Sequence, residues 1–233
     1  MAKATIEQAN RVADELKKNG KAEKPDKSMV VSITPPKMVT VPITIRGTSP
    51  YVQNRFSHKA LEKMKATQEA GSTGRKGTKR EPKDFAEHYE QAKHISTEGW
   101  GGMPATAFRS ACVAACRLVG FKMTHAKLGV FVEADGYDKV DGTPLVRITK
   151  GEPRHVEHYV KNDNGSTDIR ARPMWEPGWE ATVRLRYDAD MFTLSDVVNL
   201  LARVGAQVGI GAGRADSSDS CGQGWGSFMV VES

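Results

Sequence analysis

The chain has 233 residues, 39% of them hydrophobic, a formal charge of +6 and a pI of about 9.2. That supplies a core for one large domain or two small ones, and the basic excess suits a polyanionic partner. No apolar run reaches a membrane span, the opening residues lack the apolar core of a secretory leader, and three cysteines are too few for a disulfide framework, so a cytoplasmic protein without a membrane partner is expected.

Thr5 can cap a helix, with Gln8 in the capping-box position. Ile6, Ala9, Val12, Ala13 and Leu16 then share one face, and Gly20 ends the run. A polar stretch, GKAEKPDKS, follows. Residues 1–28 are therefore expected to form an amphipathic arm on a tether, its stripe a packing face or a docking face for a neighbour. Residues 29–233 are expected to form a single domain. Its first strand is the alternating MVTVPITIRG, over 38–46. A Pro turn leads to a helix expected over 58–70. Residues 71–83, GSTGRKGTKREPK, contain no apolar side chain but carry Arg75, Lys76, Lys79 and Arg80. This basic loop lies inside an insertion spanning 57–98 and has the composition of a nucleic-acid clamp.

DFAEHYEQAKH, from Asp84, predicts a helix. In MPATAFRSACVAACRLVG, Pro104 suits a first helical turn, and Ala107, Phe108, Ala111, Cys112, Ala115, Cys116 and Val119 make an apolar face of small side chains ending at Gly120. Cys112 and Cys116 read as buried free thiols. Strands follow at 127–134, 144–150 and 155–161. Asn164–Gly165 is a hairpin turn, and the returning arm puts Arg170 and Arg172 on one face. The hairpin belongs to a second insertion over 136–178. WEATVRLRYDA, over 179–189, is another strand. Thr193 caps a helix, and a glycine-rich loop and a strand over 226–232 follow.

Stripped of insertions, the order is strand, helix, strand, then strand, helix, strand. The fold class expected is α+β, a ferredoxin-like antiparallel sheet with helices on one face. The loop GIGAGR follows a helix and precedes a strand, the reverse of a dinucleotide fingerprint, so no nucleotide cofactor is expected. Gly209, Gly211 and Gly213 instead offer bare backbone N–H groups to a phosphate, Arg214 a neutralising charge and Trp225 a stacking surface for a base.

The helix, glycine loop with embedded arginine, and closing strand resemble the RAMP superfamily, which includes the backbone subunits and RNA-processing ribonucleases of CRISPR systems. IRGTSPYV (45–52) and MPATAFRSACVAACR (103–117) occupy the places of two further motifs of the backbone subunits. The resemblance covers roughly residues 38–56, 100–135 and 180–232, and departs from the family in the long spacer ADSSDSC and the small size. It implies that Thr106 and Arg109 contact a nucleic-acid backbone beside Gly209, Gly211, Gly213 and Arg214, and that the Asn164–Gly165 hairpin acts as a thumb between subunits. The chain also looks similar to small phage and prophage proteins. Together these readings predict a sequence-tolerant binder of single-stranded RNA or DNA, assembling as a homo-oligomer or filament. One alternative is a metal-independent endoribonuclease, with His58 or His125 as its acid–base group. Another is a phage protein that binds or mimics a host CRISPR subunit. His155 and His158 stand three apart on a strand, on opposite faces, and the cysteines lack further ligands, so no metal site is expected.

Overall fold

The computed structural model describes residues 33–56, 62, 65–66, 69, 83–161, 167–217 and 222–231. The arm, most of the helix expected over 58–70, the basic loop with Arg75, Lys76, Lys79 and Arg80, His58 and the Asn164–Gly165 turn lie outside them. The chain divides into Met1–Pro35 and Pro36–Ser233, and every element below belongs to the second unit.

The main sheet is built on β1 (Met38–Gly47) and β9 (Glu180–Asp188), paired antiparallel from Met38↔Asp188 to Arg46↔Glu180. On the far side of β1 lies β10 (Phe228–Val230). On the far side of β9 lie β4 (Val130–Glu133), along Arg184 to Tyr187, and then β6 (Pro144–Lys150), along Glu180 and Ala181. At the Glu180 end of β9 the order is therefore β10, β1, β9, β6, while β4 lies beside β9 at its Tyr187 end. Two short strands, β3 (Gly102–Pro104) and β5 (Gly136–Tyr137), both pair with β6. A second sheet has the order β2 (Tyr51–Val52), β8 (Thr167–Trp175), β7 (Pro153–Lys161).

Alternation decides which face of the main sheet is dry. Ala181, Val183, Leu185 and Tyr187 of β9 and Ile43 and Ile45 of β1 are buried, while the other face carries threonines and the charged Arg46, Glu180, Arg184 and Arg186. Arg184 there meets Glu133 and Asp135, and Arg46 meets Glu180. The dry face is covered by α2 (Ala105–Ala115), which a 3-10 turn over Cys116–Val119 extends, and by α4 (Leu194–Arg203), which a π turn over Val204–Val208 extends. Alanines and cysteines let α2 sit close to the sheet around one fully buried ring, Phe108. Burial pushes the Cys112 thiol up to about 12, as befits a packing residue. Thr193 caps α4 as expected, and Asp196 completes a reciprocal capping box with it. A further helix, α1 (Phe85–Gln91), is capped by Asp84 and packs on the second sheet, where Tyr89 stacks on His155 at 4.8 Å.

Two expectations need correction. The strand expected from residue 127 begins at Val130, because Met123–Gly129 forms a helix, α3. Tertiary contacts override the strand-like composition there: Ala126 is fully buried, Gly129 packs tightly under the Phe192 ring, and Arg109 donates to the Lys127 carbonyl at 2.7 Å. The insertion over 136–178 is also more than a hairpin. Its first part, β6, widens the main sheet, and only β7 and β8 form the hairpin.

Candidate nucleic-acid interface

Between the start of α2 and the loop after α4 lies a cleft of about 450 Å³. One wall is α2, through Thr106, Ala107, Ser110, Ala111 and Ala114. Positions i, i+4 and i+8 on a helix point the same way, so Thr106, Ser110 and Ala114 form one small, partly polar stripe. The opposite wall is the glycine loop, Val208 to Ala212 with Arg214 and Asp216. The floor comes from Tyr51, Gln53, Asn54 and His94.

The glycine loop is firmly placed. Ile210 N–H donates to the Gly226 carbonyl, Ala212 N–H to Val52, Gly226 N–H to Pro50, and Trp225 N–H to Gly213. Its glycines answer specific demands. Gly211 has φ +80°, and a Cβ there would stand 2.6 Å from the Val52 carbonyl oxygen and 2.7 Å from the Tyr51 ring. Gly213 has φ +71°, and the Trp225 ring lies where its Cβ would be. The N–H groups expected to be bare are thus partly spent within the protein, Gly209 N–H also donating to Val204. Arg214 reaches only the Gly211 carbonyl, at 3.4 Å, and meets no carboxylate among the described residues. Asp216, the acid of the cleft, is held by Arg117 in a two-oxygen bridge at 2.9 and 3.0 Å, which offsets its repulsion of an anion.

Trp225 links the loop to the hairpin. Its ring meets His158 edge-on at 5.4 Å, and His158 stands opposite Arg170 in the β7–β8 register, with Val156 opposite Arg172. Burial and the two arginines hold the His158 imidazole below its ordinary range. Burial and neighbouring Arg170 lower the Arg172 guanidinium to about 10, still charged at neutral pH. Arg172 donates to the Ala171 carbonyl and forms no salt bridge among the described residues, although Asp168 acts on its charge, whereas Arg170 stands 3.8 Å from Asp168. A surface with Thr106, Gly209, Gly211, Gly213, Arg214, Trp225, Arg170 and Arg172 is therefore continuous through neighbouring contacts.

Arg109 is not brought to this surface. It lies on the flank of α2, donates to the Val130 and Lys127 carbonyls and covers the Phe131 ring at 4.9 Å. His125 is exposed and meets Phe121 edge-on, away from the cleft. Two cleft residues carry a chemistry missed in the sequence. Gln53 is buried, donates to Gly102 O at 2.6 Å and accepts from His94 N–H at 2.9 Å. His94 Nδ1 in turn bonds Asp138 Oδ2 at 2.9 Å, and the Asp138 side chain is fully buried. Burial is the main cause that holds the His94 ring below its ordinary range, against the opposing pull of Asp138. The ring is therefore neutral at pH 7, with Nε2 free of any hydrogen-bond partner among the described residues. No group of three His, Cys, Asp or Glu side chains suited to a metal occurs among the described residues, and no helix among them is long and apolar enough to cross a membrane.

No protein-family model matches the chain, and no curated protein matches it.

Proposed function

We propose that the protein binds single-stranded nucleic acid, RNA or DNA, with little sequence preference, along the cleft and on past Trp225 to Arg172. The fold we infer for it is the ferredoxin-like RAMP type. The adjacency of β10 to β1, of β1 to β9 and of β4 to β9, with α2 and α4 on one face, supports that, since these are the strand neighbours of a split strand–helix–strand duplication. One convergence carries the functional reading: α2's polar stripe and the glycine loop meet around Arg214, and Trp225 continues that surface to a second arginine that forms no salt bridge among the described residues. Backbone amides, small hydroxyls and unpaired guanidinium groups recognise phosphate, and a half-buried tryptophan edge offers a base something to pack on. Few groups there are arranged to read base edges, hence the tolerance of sequence. Assembly along the strand in a bacterial cytoplasm, in a phage-encoded relative of CRISPR backbone subunits, belongs to the same reading.

A second reading has its own observation. His94, oriented by buried Asp138 and neutral at pH 7, faces the cleft where a strand would lie. If the chain is a metal-independent endoribonuclease, His94 rather than His125 is the described group suited to remove a 2′-hydroxyl proton. Fluorescence anisotropy with labelled single-stranded RNA and DNA, without divalent metal, tests both. Binding of intact strands that weakens in Arg214→Ala and Arg172→Ala supports the binding protein. Shortened RNA that persists intact with His94→Gln supports the nuclease, and absence of binding at low salt overturns both.

A further inference from the structure

A second depression lies beyond the end of α2, between its 3-10 extension and α4, with a volume of about 920 Å³. Its apolar lining includes Val119, Phe121, Met191, Phe192, Leu200 and Ala206. Phe121 and Phe192 lie against each other at 5.4 Å, and Val119, Met191 and Phe121 are 46%, 40% and 38% exposed. Asn199, Arg203 and Gln207 edge it with polar groups. An apolar groove rimmed by polar side chains is the form that receives one face of an amphipathic helix.

We propose that this groove receives the stripe Ile6, Ala9, Val12, Ala13 and Leu16 from the N-terminal segment of a neighbouring copy of the chain. Residues 1–32 lie outside those described, so the argument rests on their sequence and on where the chain enters the domain. The stripe has helical spacing, and Ile6, Val12 and Leu16 give it an apolar face to set against the groove's apolar lining. The chain enters at Lys37, whose carbonyl accepts from Ala189 N–H at 2.8 Å, two residues before Met191 on the groove's rim. Residues 21–36 between Gly20 and that entry span up to roughly 50 Å when extended, far more than the short step from Lys37 to the rim requires. That surplus length suits an arm that reaches another molecule. A contact of a few side chains is small, so the association is transient and concentration-dependent.

Sedimentation velocity over a concentration series, without nucleic acid, tests this independently of the cleft. Leu16→Glu spoils the stripe, and Met191→Glu spoils the groove at a side chain already partly in water. The full chain is expected to self-associate, each variant to do so at least tenfold more weakly while melting as the original does, and a mixture of the two to form a one-to-one complex that neither forms alone, since each supplies what the other lacks. A full chain that stays monomeric to several hundred micromolar, variants that associate as well as the original, or a mixture that restores nothing overturns the proposal.

Discussion

Two depressions flank the same pair of helices, and they are built from opposite materials. The smaller, about 450 Å³, is walled by bare glycine backbone, hydroxyls and Arg214. The larger, about 920 Å³, is walled by Phe, Met, Leu and Val. Size alone would direct attention to the groove. The chemistry of the walls separates them: a charged polymer needs donors and unpaired cations, whereas apolar side chains need only a dry surface. A single layer of helices on one sheet thus presents two kinds of contact, and each can be disturbed without the other.

The largest disturbance should remove what both share. Phe108 is fully buried between α2 and the sheet, so Phe108→Ala is expected to cost about 3–5 kcal/mol of stability, read as a lower denaturant midpoint, and to weaken every binding reaction with it. Next comes a change confined to the cleft. Gly213→Ala puts a Cβ into the Trp225 ring at a positive φ; a loss of about 1–3 kcal/mol is expected from the strained backbone alone, with oligonucleotide affinity falling by tenfold or more because Trp225 must move. A substitution there that leaves both unchanged would mean that the loop is not held as described.

Smaller effects sharpen the contrast. Arg172→Ala and Arg214→Ala should each lower affinity for single strands by about tenfold and reduce the slope of log K against log salt by about 1, with little change in melting temperature. Met191→Glu should leave oligonucleotide affinity unaltered at dilutions where the chain is monomeric. Acid should act through the two lowered histidines. Their folded pKa values lie below the ordinary 6.5, so the unfolded chain binds more protons as pH falls. Stability is then complete above about pH 6.5 and declines below it, and thermal melts from pH 7.5 to 5 should show the decline shrinking in His94→Gln.

Much of the scaffold was legible in the sequence because its cues are local. Alternation marks β9 and the second half of β1, whose inward residues are all buried, and the bounds of β6, Pro144–Lys150, match the run PLVRITK. Thr193 announces the start of α4. The cleft was half legible: helix start and glycine loop were expected to lie together, and they do. What stayed hidden depends on distant parts meeting. Nothing near His94 indicates Asp138, 44 residues away, or Gln53, 41 away. Arg109 was expected to be a phosphate ligand from the family resemblance at the helix start, but in the fold it lies against α3, whose Lys127 carbonyl it binds. α3 itself was missed because KLGVFVEA, with the apolar run Val130, Phe131 and Val132 at its centre, reads as a strand from its first residue, while the buried Ala126 and the tight contact at Gly129 exist only in the folded chain.

The central claim, that the nucleic acid follows the polar cleft and not the apolar groove, is tested most directly by photo-crosslinking a single-stranded oligonucleotide to the full chain and mapping the adducts by mass spectrometry. The account predicts adducts on the segments that carry Tyr51, Thr106, Gly209 to Arg214 and Trp225, lost in excess unlabelled strand, and none on Phe121, Met191 or Leu200. Adducts concentrated on the groove, or specific adducts absent from the cleft, would contradict it.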